Sequence, residues 1–369
     1  MTLVISPMNI DTTEGMDKIT STDKITTGYH SDNTPTLTAA NLHSASLSDT
    51  NEVYYHGIAK GNVTGSVQWY VSYGNVNGKG GNSEADVIKS STEAIYKQWT
   101  NTLLPENEVT GGFFISSAGS DAALSTKEEQ IYVLVARREL MKDRLNKKNW
   151  SLVLSGSDSN RTGSLLHLTD DSATVRPTAT PAGPRYNIVS GSNGTVTKAA
   201  SVKTYGHFYP DQGVLVFSGA ELSASLPGSH IGSSSAASYV ESAFTASHHM
   251  GFGFDNSSED ADYKNSLRFV NCLKPEGASI TMRDEEDLTS VSYFCRVRAG
   301  QANFSNSPSF VSGSLNEIRH QTMKGNPTTY ITEIGLHDAA GNCVATGKLS
   351  SPLKNNFSSE ATIKVKLTY

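Results

Sequence analysis

The sequence predicts a mainly β protein with a few helices, an α+β fold of antiparallel, β-sandwich-like sheets preceded by an extended N-terminal arm. Three observations carry this expectation. Hydrophobic residues make up only 37% and charged residues 18% of the 369-residue chain, so Ser, Thr, Asn and Gly supply much of the rest. A disordered chain of such polarity would show high net charge and few aromatics, whereas this one carries 15 Tyr, 12 Phe and 3 Trp. Short runs rich in β-branched and aromatic residues also recur between Gly, Asn, Asp and Pro turns, which suits half-exposed strands.

Residues 1–48 have almost no periodic apolar pattern and read as the arm, which has no core of its own and must lie on its own domain or on a neighbouring subunit. An α+β domain is expected over 49–170. It opens with strands at Val53–Ile58 and Val67–Val71. A Gly-rich hinge at 78–81 precedes a helix in which Ile88, Ile95, Trp99 and Leu103 share one face, and Leu104-Pro105 ends it. Gly111–Ile115 and Ile131–Ala136 read as strands, the second a near-continuous apolar run of a central strand. Trp150–Leu154 and Leu165–Leu168 follow.

The stretch 171–201, with Pro177, Pro181, Gly183 and Pro184, is expected to be a linker or exposed loop. A mainly β domain is then expected over 202–369. Tyr205–Tyr209 and Val214–Phe217 flank Pro210-Asp211-Gln212-Gly213 as a hairpin. Ala236–His249 and Tyr263–Leu273 read as short helices. Val291–Val297, Tyr330–Leu336, Cys343–Lys348 and Ile363–Leu367 read as strands, the last pinning the C-terminus in a sheet.

Charge and cysteine usage narrow the function classes. A net charge of −6 and a pI near 5.9 argue against a surface committed to nucleic acid. The one compact basic cluster, Arg137-Arg138, Lys142, Arg144 and Lys147-Lys148, is interrupted by Glu139 and Asp143 and reads as a solvated face. The three cysteines, Cys272, Cys295 and Cys343, form no zinc or disulfide pattern and suit a reducing site of assembly. Met1–Ile5 is followed at once by Ser6-Pro7, too short for a signal-peptide core. No run of apolar residues approaches a membrane span.

Signatures of catalysis are missing: there is no nucleophile elbow, Walker A loop, HExxH helix or strand-linked GxGxxG. Gly251-Phe252-Gly253 continues into Asp255-Asn256 instead of a third Gly, so it is not a phosphate cradle. His248-His249 are adjacent, point to different sides and lack a third ligand, so a packing pair at a helix end is the expectation. Asp284–Asp287 and Asp255–Asp262 do not match the EF-hand spacing and read as solvated loops, with calcium bridging between subunits the sharper alternative. Tyr205–Pro210 is either a carbohydrate platform or, as expected here, a strand with alternate rings in the core. No catalytic, cofactor-binding or metal-ligating residue is assigned, no cofactor is expected, and the chain is expected not to be an enzyme.

Two stretches carry a resemblance. The first runs from Asn326-Pro327-Thr328-Thr329-Tyr330-Ile331-Thr332-Glu333-Ile334-Gly335-Leu336-His337-Asp338 through Gly341-Asn342-Cys343-Val344-Ala345-Thr346-Gly347-Lys348 to Ile363–Leu367. It resembles the closing segment of virion structural proteins from contractile-tailed bacteriophages, especially the large myoviruses that infect cyanobacteria. A related phrase, TxIGLYDxxGxLxAxG, occurs in phage tail-collar and tail-fibre proteins, with Tyr where this chain has His337. The second is Tyr293–Arg298 followed by Phe304-Ser305-Asn306-Ser307-Pro308-Ser309-Phe310, similar to the FNYSxNPxF phrase of the same family. Arg137–Trp150 with Leu152–Leu154, and the aromatic phrase over 205–214, fit the same proteins.

The resemblance implies a structural component of a virion, assembled in the host cytoplasm, at the baseplate or elsewhere in the viral tail machinery. The alternatives are a neck or capsid-associated protein, or a carbohydrate-binding tail-fibre or spike module with a groove lined by Trp69, Tyr70 or Tyr209. Expected partners are other virion proteins and copies of the chain itself, with no nucleic acid, membrane span or small-molecule substrate. The residues also explain themselves. Alternating apolar positions over Ile331–Leu336 and the turn Asp338–Asn342 make a β-hairpin. Its open edge must be paired, by a neighbour or by the N-terminal arm.

Overall fold

Strand-forming residues do form strands in the computed structural model, which describes residues 18–29, 37–38, 42–46, 55–60, 66–78, 91–110, 112–115, 127–157, 163–199, 203–226, 251–252, 265–273, 277–315 and 317–368. Strands take 51% of residues and helices 15%, so the fold is mainly β with antiparallel sheets, as the sequence predicts. By contacts the chain divides into two units, 1–24 with 287–369 and 25–286.

In chain order the first half holds β1 (Lys18–Tyr29), β2 (Leu37–Thr38), β3 (Leu42–Ser46), β4 (Tyr55–Lys60), β5 (Val67–Asn75) and the helices α1 (Ser91–Leu103) and α2 (Glu106–Val109). Then come β6 (Gln130–Ala136), β7 (Arg144–Leu145), β8 (Ser151–Ser157), β9 (Gly163–Asp170), β10 (Thr178–Thr180), β11 (Gly183–Ser192) and β12 (Thr195–Lys198). β13 (Gly206–Tyr209), β14 (Val214–Ser218), α3 (Gly219–Ser225), α4 (Asn265–Leu273) and β15 (Ser279–Thr281) follow. The last part holds β16 (Arg283–Val297), β17 (Val311–Ser312), β18 (Glu317–Ile318), β19 (Thr329–His337), β20 (Cys343–Asn355) and β21 (Ala361–Thr368).

The unit 25–286 is built on a sheet with the order β2-β15-β8-β9-β11-β13-β14-β6-β5-β4-β3, which curls into a half-barrel. Its middle strands are buried on both faces, which is why Ile131–Ala136 and Val214–Phe217 read as unbroken apolar runs. Alternation along them feeds two separate cores. Tyr132, Leu134, Leu215 and Phe217 enter one, with Leu222 of α3 and Phe269, Val270 and Leu273 of α4. Ile131, Val133, Val214 and Val216 enter the other, with Tyr96 and Leu103 of α1. Phe269 is the centre of an aromatic cluster, with ring centroids 5.3 Å from Phe217, 6.0 Å from Tyr132 and 6.1 Å from Phe252.

Helix α1 corrects the expected face. Thr92, Tyr96, Thr100 and Leu103 are buried, whereas Ile95 and Trp99 are only partly so and Ile88 lies outside the described residues. Tyr96 sets this rotation. Its hydroxyl donates to the Glu128 carbonyl at 2.5 Å and accepts from the Phe113 amide at 3.1 Å. Gly74 lets the helix approach, since a Cβ there would lie 3.0 Å from the Tyr96 backbone nitrogen. The strand expected over Gly111–Ile115 is not formed at 112–115: Phe113 and Ile115 are buried, but the Phe113 carbonyl accepts from the Glu128 amide and no ladder forms.

The boundaries expected at 170 and 201 fall inside the central sheet. The stretch 171–201 carries β10, β11 and β12, and β11 pairs with both β9 (Val189↔Thr169) and β13 (Asn187↔His207). The Pro181-Ala182 pair is the tip of a tight hairpin between β10 and β11, with Gly183 at φ 100°. These turn residues punctuate a sheet rather than separate domains.

The described parts of the N-terminal 48 residues are strands on the chain's own sheets. β1 pairs with β16, β2 with β15, and β3 with β4 from Leu42↔Lys60 to Ser46↔His56. The helix expected over Ala236–His249 lies outside the described residues, while α4 matches most of Tyr263–Leu273. No helix among the described residues is long and apolar enough to cross a membrane.

Candidate functional site

The unit holding residues 287–369 has strands with an apolar face that the chain leaves partly open. β16 and β21 pair antiparallel from Ser290↔Thr368 to Val297↔Ala361. Directly paired residues share a face, so Val291, Tyr293, Cys295 and Val297 stand with Leu367, Val365, Ile363 and Ala361. All eight are apolar or aromatic. Only Val291 and Ala361 are buried, and the other six are partly exposed. The opposite face is mostly polar, with Phe294 its one aromatic residue and Ser290 and Ser292 buried. There Lys364 lies 5.8 Å over the Phe294 ring, the Ser290 and Thr368 hydroxyls meet at 3.2 Å, and Arg296 pairs with Glu360 at 2.9 Å.

Comparison with the other unit makes the openness plain. The described buried hydrophobic residues of 287–369 are Val291, Val311 and Ala361; all others lie in 25–286. Conversely, Phe304, Leu315, Tyr330, Val344, Leu353 and Phe357 are exposed, at 39–82% of their surface. Single exposed apolar residues are ordinary, but a concentration of them in one small unit marks a contact surface.

β19 and β20 form a ribbon of their own, with no third strand beside it among the described residues. The turn is capped by Asp338, whose carboxylate accepts the Ala340 amide at 2.9 Å, the Asn342 amide at 2.8 Å and the Asn342 side chain at 3.0 Å. These hydrogen bonds, led by that from the Asn342 side chain, hold the Asp338 carboxyl below its usual pKa. In the distal half Ile334, Leu336 and Ala345 are partly buried while Glu333 and Lys348 pair across the strands and are exposed. The ribbon's base is fixed by buried asparagines, which nothing in the sequence pattern announced. Asn303 donates to the Pro327 carbonyl at 2.7 Å, and Asn355 donates to the Gln301 carbonyl at 2.7 Å and to Asn303 Oδ1 at 2.9 Å. Two-stranded ribbons with free edges are marginal alone.

Candidates for chemistry resolve into core and struts. Tyr205, His207, Phe208, Tyr209 and Pro210 are all buried, so this stretch offers no ring face to a sugar. Trp69 is 1% exposed, Tyr209 is fully buried, and Tyr70 is partly buried against Tyr55. Asp284–Asp287 is no solvated loop: it belongs to β16, and Asp284 and Glu285 are buried. Glu285 pairs with Arg144 at 3.0 Å and accepts from Asn146 at 3.0 Å. Arg144 is thus drawn inward from the basic cluster, and Lys147 lies over the Tyr186 ring, while Arg138, Lys142 and Lys148 stay exposed.

A second, partly buried group brings Glu108, Arg185 and Tyr209 together, with the Arg185 charge acting on the buried His207. Arg185 donates to Glu108 at 2.7 Å. Burial, reinforced by the Arg185 charge, depresses the His207 pKa to about 3, and burial pushes Tyr209 up to about 12. Burial also raises Glu128 to about 7, with Ser218 opposing and the Glu221 charge adding. No group of three or more metal-ligating side chains is found among the described residues. His248, His249, Gly253 and Asp255–Asp262 lie outside them. No family model, curated protein or solved structure matches this chain.

Proposed function

We propose that this chain is a structural subunit of a tailed-bacteriophage particle, placed in the baseplate or other tail machinery, that works by burying surface against neighbouring subunits. The observation that carries this reading is the apolar, partly exposed face of β16 and β21 in a unit with almost no buried core. Strands that alternate apolar and polar residues need cover on the apolar side. A subunit destined for a repeated lattice obtains that cover from neighbours, where symmetry multiplies modest contacts.

The two phrases that resemble contractile-tail virion proteins also sit in this unit. Tyr293–Val297 lies in β16 with Arg298 just beyond it, Phe304 and Phe310 touch edge to face at 5.7 Å, and the Thr329–Lys348 phrase is the β19–β20 ribbon. The carbohydrate-binding alternative loses its groove, because Trp69 and Tyr209 are core residues. The test is mass spectrometry of density-purified phage particles from the source. Peptides of this chain at a fixed ratio to other tail proteins are expected; their absence from intact particles overturns the reading.

A further inference from the structure

We propose that Asn77 is a site of spontaneous covalent modification, losing its side-chain amide to give aspartyl and isoaspartyl residues, and that the fold shields Asn193 from the same reaction. The reaction is independent of any role in a virion. The chain contains two Asn-Gly pairs, Asn77-Gly78 and Asn193-Gly194. A glycine after asparagine leaves the backbone nitrogen open on the side where a Cβ would otherwise stand. That nitrogen, once hydroxide has taken its proton, attacks the asparagine Cγ. The new N–C bond closes a succinimide ring, and the Cγ–N bond of the side chain breaks, releasing ammonia. Water then opens the ring at either carbonyl. One opening leaves an aspartate in the ordinary chain, and the other leaves a chain lengthened by one methylene.

Accessibility does not separate the two pairs, because in both the asparagine is exposed and the glycine half-buried. Hydrogen bonding does. Asn193 and Gly194 form the two-residue turn between β11 and β12, closed by Ser192↔Thr195, with φ of 47° and 74°. The Gly194 amide donates to Thr169 Oγ1 at 2.8 Å. Thr169 is fully buried and itself donates to the Trp150 carbonyl at 2.9 Å. The Asn193 side-chain oxygen accepts from Ser151 Oγ at 3.2 Å, and the Asn193 amide donates to the Trp150 carbonyl at 3.1 Å. Attack at Asn193 strips a buried hydroxyl of its donor and pulls the side chain off Ser151, and both losses raise the barrier.

Asn77 lacks this frame. Its amide donates to Asn75 Oδ1 at 2.8 Å, while its side chain bonds to none of the described residues. The Gly78 amide donates to the Asn75 carbonyl at 3.1 Å, across a local turn at the end of β5. Bonds within an exposed turn at the end of a strand open at little cost, so the Gly78 nitrogen reaches Cγ without disturbing a core.

The test incubates the full chain in mildly alkaline buffer, folded and in urea, and follows both sites by tryptic peptide mass spectrometry. Trypsin releases Asn77 in Gly61–Lys79 and Asn193 in Tyr186–Lys198, and fragment ions assign the mass gain to a residue. In the folded chain Asn77 should convert at least about tenfold faster than Asn193. In urea the two rates should converge, because only the fold separates them. Thr169→Val keeps the shape, removes the hydroxyl, and should speed conversion at Asn193 while leaving Asn77 unchanged; Thr169→Ser should speed neither.

Equal rates in the folded chain, no conversion at Asn77, or a difference that persists in urea each overturn the proposal. A folded Thr169→Val protein with Asn193 still shielded overturns the role given to that hydroxyl. Should circular dichroism show Thr169→Val unfolded, the comparison of the starting protein folded and in urea decides.

Discussion

Acid should destabilise the half-barrel unit through one side chain, and His207→Gln should remove that sensitivity. His207 sits in β13, is 4% exposed, and has its pKa held at about 3 by burial and by the nearby Arg185 charge. Unfolded, the imidazole titrates near its ordinary 6.5. Between those values the unfolded chain binds the proton and the folded chain refuses it. The stability is therefore intact above pH 6.5 and drains away as pH falls toward 3. Integrating from pH 7 to pH 4 gives a loss of about 3 kcal/mol from this residue. Urea unfolding followed by tryptophan fluorescence measures it, because Trp69 and Trp150 are at most 1% exposed in the same unit. The stability of the starting protein should fall between pH 7 and pH 4 by about 3 kcal/mol more than that of His207→Gln. Parallel pH profiles for the two proteins would refute the assignment of a neutral, proton-excluding His207.

Three further outcomes follow from the packing. Phe269→Ala removes the ring that joins Tyr132, Phe217 and Phe252, and should cost about 3–5 kcal/mol in the same urea assay; a loss under about 1 kcal/mol would mean that α4 does not seal this core. Glu128→Gln should stabilise the protein at high pH and not at low pH. The raised pKa of about 7 makes the Glu128 contribution complete below its ordinary 4.5 and lost as pH rises through 7, so the gain at pH 8 should approach about 3 kcal/mol, and an equal effect at pH 4 would contradict it. Asn355→Ala leaves the Gln301 carbonyl and Asn303 short of a buried partner, and should loosen the ribbon's base by about 1–3 kcal/mol, read as faster amide exchange at Tyr330 and Ile331.

Local sequence carried the strands whose physics is local. Ile131–Ala136 announced a doubly buried strand by its unbroken apolar run, and Pro210–Gly213 announced the β13–β14 hairpin by its turn residues. The β19–β20 hairpin was legible from its alternation and from Asp338–Asn342. The misread places depend on partners far along the chain. Pro181 and Pro184 look like a linker until β11 is seen between β9 and β13. Tyr96 outcompetes Ile95 and Trp99 for the interior of α1 because its hydroxyl meets Phe113 and Glu128, 17 and 32 residues away. Asp284 and Glu285 look solvated until Arg144 and Asn146 reach the β16 carboxylate of Glu285.

The candidate surface was half legible. Ile363, Val365 and Leu367 between lysines reveal a two-faced strand to any reader of the sequence. Whether the chain itself covers that apolar face is a tertiary property, and no periodicity encodes it. The asparagines Asn303 and Asn355 were invisible for a related reason: in an Asn-rich chain, only burial distinguishes a structural amide from a surface one.

Amide exchange of the free chain compared with the assembled state probes the central claim most directly. At low protein concentration Val133 and Leu134 of β6 should exchange slowly while Ile363–Leu367 exchange quickly, and on assembly the C-terminal strand should slow until the two segments are alike. Equal, strong protection of both segments in a dilute monomer would mean that the chain seals its own C-terminal sheet, and would contradict the account.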